Sequence, residues 1–144
     1  MLTSAIVSTC QRKPKTNERM KDKQRVYISG AMSGVAREHY LARFDMAERI
    51  LKNEGWRVVN PARLAPCRWP WLYRLLGYRL TLLYDLWHLS RCTHIYKMPG
   101  WQQSRGANIE SCWAFHFKIW PTGKKSRENI DRHISKLIIK QESK

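Results

Sequence analysis

Carboxylates are scarce in this chain. Eleven Asp and Glu stand against 27 Lys and Arg over 144 residues, a formal charge of +16. Such a balance suits an anionic ligand and leaves little with which to hold cations. Long apolar runs are missing as well: no hydrophobic stretch approaches the roughly 20 residues of a membrane helix, so no membrane partner is expected. Cysteine is sparse and scattered. Cys10, Cys67, Cys92 and Cys112 show no zinc-type pairing, which argues for reduced thiols and against a disulfide framework. His88, Cys92 and His94 lie closer together, but a predicted helix ends between them, so no metal and no other cofactor is expected. No repeat and no low-complexity segment appears. The apolar opening, Met1 to Val7, precedes its basic residues, the reverse of a secretory leader, and a cytoplasmic location is expected.

What is present is enough for one folded domain. The chain is 43% hydrophobic and carries 16 aromatics, 7 Trp, 6 Tyr and 3 Phe, which excludes disorder throughout. The charge is uneven. Residues 1–25 hold seven basic side chains and two acidic ones, and residues 118–144 hold eight and three. The middle keeps 12 basic and six acidic residues, a surplus that suits an anionic ligand. Residues 1–24 read as a basic arm outside the domain of residues 25–144, and basic termini of this kind offer nucleic acid a nonspecific contact.

The elements alternate. Arg25 to Gly30 reads as a first strand, followed by the small-residue loop Ala31-Met32-Ser33-Gly34. Residues 37–54 form an amphipathic helix with Leu41, Phe44, Ala47 and Leu51 inward and Asp45, Glu48 and Glu54 on a solvated face. A second strand runs from Trp56 to Asn60. A loop rich in Pro, Arg and Trp then leads to a helix over residues 71–91 with an inward row Leu75, Leu82, Leu86 and Leu89. A third strand (His94 to Met98), a helix over residues 104–118, a short strand at Ile119-Trp120 and a helix over residues 126–140 complete the order. The last helix has an apolar stripe of Ile130, Ile134, Leu137 and Ile138. This β-α repetition predicts a single α/β, doubly wound domain, with a four- to five-stranded parallel sheet and helices on both faces.

Chemistry concentrates around the third strand. In the helix that follows it, Ala107, Glu110, Trp113, Ala114 and Phe117 share the inward face by their steps of three and four. Glu110 is the one charge among them, and a buried carboxylate needs a partner, a cavity or a raised pKa. Ser104 and Gly106 open the same helix, where free N–H groups and the helix dipole favour an anion. The loop from Ser29 through Gly30, Met32 and Ser33 to Gly34 is a second candidate cradle, at the sheet edge where open α/β folds bind ligands. Arg105 lies beside the first. Of the six acids in the middle region, Glu38, Asp45, Glu48 and Glu54 belong to the first helix, which leaves Asp85 and Glu110 flanking strand three. Such a pair can divide labour as nucleophile and proton donor in glycosyl transfer. Alternatively, Asp85 pairs with Arg79 or Arg91 of its own helix.

Four segments together resemble the nucleoside 2-deoxyribosyltransferase superfamily, in its small bacterial and phage branch. They are Tyr27-Ile28-Ser29-Gly30-Ala31-Met32-Ser33-Gly34, the stretch Trp56 to Pro61, Asp85-Leu86-x-x-Leu89-x-x-Cys92, and Pro99-Gly100-Trp101-x-x-Ser104-Arg105-Gly106-Ala107-x-x-Glu110. The resemblance spans about residues 25–120. It implies a flavodoxin-like fold and cleavage of an N-glycosidic bond in a 2′-deoxynucleoside or its 5′-monophosphate. Glu110 matches the family's nucleophile, Tyr27 the residue that orients it, and Asp85 the residue that assists at the base. A Ser at position 104 with Gly106 after it is similar to the branch acting on monophosphates, where that Ser binds phosphate. Two departures stand out: Thr93 replaces the usual Asp after the Cys, and the insert from Pro66 to Arg79 is expected to cover the pocket. The resemblance also implies a homo-oligomer, a dimer or larger.

Two other classes remain open on the sequence. One is a non-catalytic binder of a nucleotide or an NAD-derived signal. The other is a nucleic-acid binder, favoured by the basic ends and by Trp69, Trp71 and Tyr73 beside Arg68 and Arg74 as stacking groups.

Overall fold

The computed structural model describes residues 24–64 and 68–143. Residues 1–23, most of the expected basic arm, lie outside them, as do Cys10, Cys67, the side chain of Tyr73 and the Pro66 end of the insert. The element order is β1 (Arg25–Ser29), α1 (Arg37–Asn53), β2 (Arg57–Val59), α2 (Pro70–Ser90), β3 (His94–Lys97), α3 (Arg105–His116), β4 (Trp120–Pro121) and α4 (Lys124–Glu142). Short 3-10 turns, Pro61–Arg63 and Trp101–Gln103, follow β2 and β3.

The four strands form one sheet in the order β2-β1-β3-β4, and all the pairs are parallel. Parallel neighbours need crossovers, and the helices supply them on both faces. Val26 and Ile28 of β1 face α1 and α4, where Phe44, Ala47, Leu51, Ile130 and Ile134 complete a core. Tyr27 of β1 and Ile95 of β3 face the other way, against Leu86 and Leu89 of α2 and Ala114 of α3. Period-two alternation along each strand produces the two cores. Each fully buried Leu, Ile or Phe contributes about 1.5–3 kcal/mol. The result is the expected doubly wound, flavodoxin-like α/β domain. Its sheet stops at four strands among the described residues.

Three details depart from the sequence expectations. Leu75 is 74% exposed rather than inward. Gly77, with φ +70 and ψ 170, breaks α2, so residues before it do not continue the stripe of Leu82, Leu86 and Leu89. Phe117 is exposed too, because α3 ends at His116 and Lys118, at φ +55, turns the chain away.

The third departure is Glu48, which is buried rather than solvated. Asn60 Nδ2 donates to its Oε2 at 2.7 Å, Arg63 Nε lies 3.2 Å from the same oxygen, and Lys52 binds Oε1. Burial pushes its pKa up, but the Asn60 and Lys52 hydrogen bonds and the Arg63 charge outweigh this, and the net shift is downward. A lowered pKa stabilises the fold above the ordinary carboxylate range, and that contribution is lost as pH falls through the folded value. Glu48→Gln sets an amide N–H against existing donors and should cost about 1–3 kcal/mol at pH 7. Urea unfolding at pH 7 and pH 3 should show the gap to wild type shrinking with acid. Equal stability at pH 7 would return Glu48 to the solvated surface.

Candidate active site

The site lies beyond the carboxyl ends of β1 and β3, the central neighbours in the sheet. Connections there leave toward opposite faces, so a crevice opens between them. On β1, Tyr27 and Ser29 are two residues apart and point to the face that α2 and α3 cover. Glu110 reaches them from the second turn of α3.

The contacts are short. Tyr27 Oη donates to Glu110 Oε1 at 2.7 Å, and Ser29 Oγ donates to Oε2 at 2.6 Å. Each carboxylate oxygen thus has a hydroxyl donor, and the side chain is held in one orientation. Glu110 is 4% exposed. Burial pushes its pKa up to about 7, while the Ser29 and Tyr27 hydrogen bonds pull it back. Asp85, on α2, is 4% exposed. Its pKa is pushed up to about 8, by burial first and then by the charge of Glu110. No described residue bonds its buried Oδ1, and it forms no ion pair with Arg79 or Arg91.

Both carboxyls line a cavity of about 390 Å³. Gly30, Met32 and Ser33 from the loop after β1 line it from one side, and Ser104, Gly106 and Ala107 from the opening of α3 line it from another. The two loops singled out in the sequence therefore face one space. Gly30 packs closely on Met98: a Cβ there would stand 2.3 Å from its Cε, the flexible end of that side chain, and 3.2 Å from its Cβ, so Met98 would have to shift. Ser104 caps α3, its Oγ accepting from the Ala107 N–H at a long 3.4 Å.

Three of the sequence candidates sit elsewhere. Ser29 is completely buried and its hydroxyl serves Glu110, so it positions the carboxylate rather than lining the cavity. Gly34 and Arg105 are exposed and outside the lining. Conversely, Arg37, Tyr40 and Tyr78 line the cavity and were not singled out, and Arg74, which also lines it, was named only beside the nucleic-acid stacking groups. Arg37 opens α1 just after the small-residue loop, a position that could have signalled it. Arg74 and Tyr78 belong to the Trp/Arg-rich insert, whose described part does form a wall of the cavity, with Pro70.

Among the described residues, no group of three or more His, Cys, Asp and Glu could hold a metal ion. Burial pushes the Cys92 thiol up to about 11, which leaves it a poor nucleophile. Among the described residues no helix is long and apolar enough to cross a membrane.

What the arrangement can do chemically is acid–base and nucleophilic work on an anionic ligand. One carboxyl is fixed by two hydroxyls, a second titrates above it, and small-residue loops with two arginines surround the space over them. No curated protein and no solved structure matches the chain. A family model does: residues 24–119 match the one described as Domain of unknown function (DUF4406), and the chain belongs to that family.

Proposed function

We propose that the protein is an N-glycosidase or deoxyribosyltransferase acting on a nucleotide, a 2′-deoxynucleoside 5′-monophosphate, through a covalent glycosyl-Glu110 intermediate. One observation carries this reading: Glu110 is held by Tyr27 and Ser29 at a cavity that it shares with Asp85 and with two anion-type loops. The resemblance to the nucleoside 2-deoxyribosyltransferases supports the same assignment.

In the first step a Glu110 oxygen forms a bond to the anomeric carbon as the bond from that carbon to the base nitrogen breaks. The bonding pair leaves with the base, which takes a proton from Asp85. The geometry favours these roles: two hydroxyls donate to Glu110 and favour its ionised form, while Asp85 Oδ1 has no donor among the described residues, and burial and the Glu110 charge favour its protonated form. In the second step the Asp85 carboxylate removes a proton from water or from an acceptor base. That nucleophile attacks the anomeric carbon and frees Glu110. Tyr27 and Ser29 keep the carboxylate aimed throughout. A homo-oligomer belongs to this reading, and Leu83, Tyr84 and Trp87 leave an exposed apolar strip on α2 that supports it.

The test is release of free base. Incubation with a panel of nucleosides, their 5′-monophosphates and NAD, followed by chromatography, should show base freed from at least one deoxynucleoside monophosphate and far more slowly from its nucleoside. Binding of a nucleotide with no base release from any member would favour a non-catalytic nucleotide sensor and overturn the enzyme.

A further inference from the structure

α2 is two helical segments. The left-handed angles of Gly77 divide residues 70–76 from residues 78–90. A Cβ at Gly77 would meet open space, so the backbone angle alone asks for glycine there. The segment before the break lies along the cavity, where Pro70 and Arg74 join the lining, and Tyr78 follows just after it. Arg37 Nη2 donates to the Arg68 carbonyl at 3.3 Å, which ties the chain entering that segment to the start of α1. The Tyr78 hydroxyl reaches the opening of α3, since a Cβ on Gly106 would be 3.4 Å from it.

Arg37 and Arg74, both exposed, therefore line one cavity. Among the described residues neither Arg37 nor Arg74 forms an ion pair. The carboxyls that share the cavity do not neutralise them: Glu110 is taken up by two hydroxyls and Asp85 has no ion pair. The positive charge facing this space is left for the ligand to match. A nucleoside offers no anion, and a phosphodiester offers one negative charge for two cations. A terminal phosphate carries close to two charges at neutral pH and several acceptor oxygens, which suits paired guanidinium donors.

We propose that Arg37 and Arg74, with the Tyr78 hydroxyl, clamp the terminal phosphate of a nucleoside 5′-phosphate, and that this clamp selects the nucleotide over the nucleoside. The proposal rests on the nucleotide reading above. It assigns the substrate's charged end to the segment that Gly77 turns along the cavity, in addition to the loops at Ser33 and Ser104.

Calorimetry on the full chain tests it with base-independent and base-containing probes: 2-deoxyribose 5-phosphate, a deoxynucleoside 5′-monophosphate, its 5′-methyl phosphodiester and its nucleoside. Wild type should bind the monophosphate more tightly than the diester. Arg37→Gln and Arg74→Gln should each weaken both phosphomonoesters at least about tenfold, the size of a lost charge-assisted hydrogen bond, and leave the nucleoside unchanged. Gly77→Ala, which touches neither arginine, should lose the same preference because alanine resists a φ of +70. Variants that bind the phosphomonoesters like wild type while base is still released would overturn the clamp and leave the glycosidase standing. Arginine-dependent phosphate binding without base release would uphold the clamp and remove the enzyme. Failure of wild type to bind any of the phosphate probes would remove both.

Discussion

Glu110→Gln is expected to lower base release by about three orders of magnitude or more, the scale seen when a covalent nucleophile is removed. The substitution keeps the side-chain volume and takes away the charge that the proposed mechanism directs at the anomeric carbon. The surroundings tolerate it. Both partners, Tyr27 and Ser29, are hydroxyls, so whichever one meets the new amide N–H can rotate and accept instead of donate. The fold should therefore survive. It should even gain at alkaline pH, by the following sign. A carboxyl raised from 4.5 to about 7 stabilises the fold below its unfolded pKa and forfeits that as pH rises through the folded value. Gln carries no such pH-dependent loss. Nucleotide binding should also persist, since the proposed anion contacts lie on other side chains. Single-turnover base release, thermal unfolding at pH 6 and pH 9, and nucleotide calorimetry together check this. A variant with near-normal rate would sink the covalent mechanism.

Much of the fold was legible because its causes are local. β-branched runs closed by Gly or Pro, and helical apolar stripes between them, require a parallel sheet covered on both faces. The site was partly legible for the same reason. Glu110 is a charge at a core position of a periodic helix, and Tyr27 and Ser29 carry hydroxyls on a strand where they alternate with apolar Val26 and Ile28. That both hydroxyls serve one carboxylate was not legible, because it depends on the register of β1 against α3, which only packing sets. Glu48 was misplaced for a related reason. Its helical position borders the apolar stripe, and the partners that make burial tolerable, Asn60 and Arg63, come from the turn after β2. Arg37 escaped notice, and Arg74 was read only as a nucleic-acid contact, because a basic chain makes every arginine look alike. Arg74 joins the cavity lining on the segment before the break at Gly77, and a lone glycine does not announce its backbone angle; Arg37 joins it from the start of α1.

The second large effect is expected from Asp85→Asn. Asp85 and Glu110 line one cavity with pKa values of about 8 and about 7, so only a narrow window holds Glu110 charged and Asp85 protonated. Wild-type kcat/KM should accordingly trace a bell with flanks near those values, the acid limb set by Glu110 and the alkaline limb by Asp85; because the groups interact, the limbs belong to the pair. Asparagine keeps the shape of Asp85 but cannot give a proton to the departing base or take one from water. Loss of a general acid costs about 10²- to 10⁴-fold, and the alkaline limb should vanish with it. Losing the neighbouring charge leaves Glu110 set by its own burial and hydroxyls, so the acid limb should remain. The leaving group separates this from a packing defect. A deoxynucleotide whose base departs readily as an anion needs little proton donation, and Asp85→Asn should cleave it much closer to the wild-type rate. If the variant were equally slow on good and poor leaving groups, with both pH limbs intact, Asp85 would be a buried structural carboxyl, and the proton would have to come from elsewhere in the cavity.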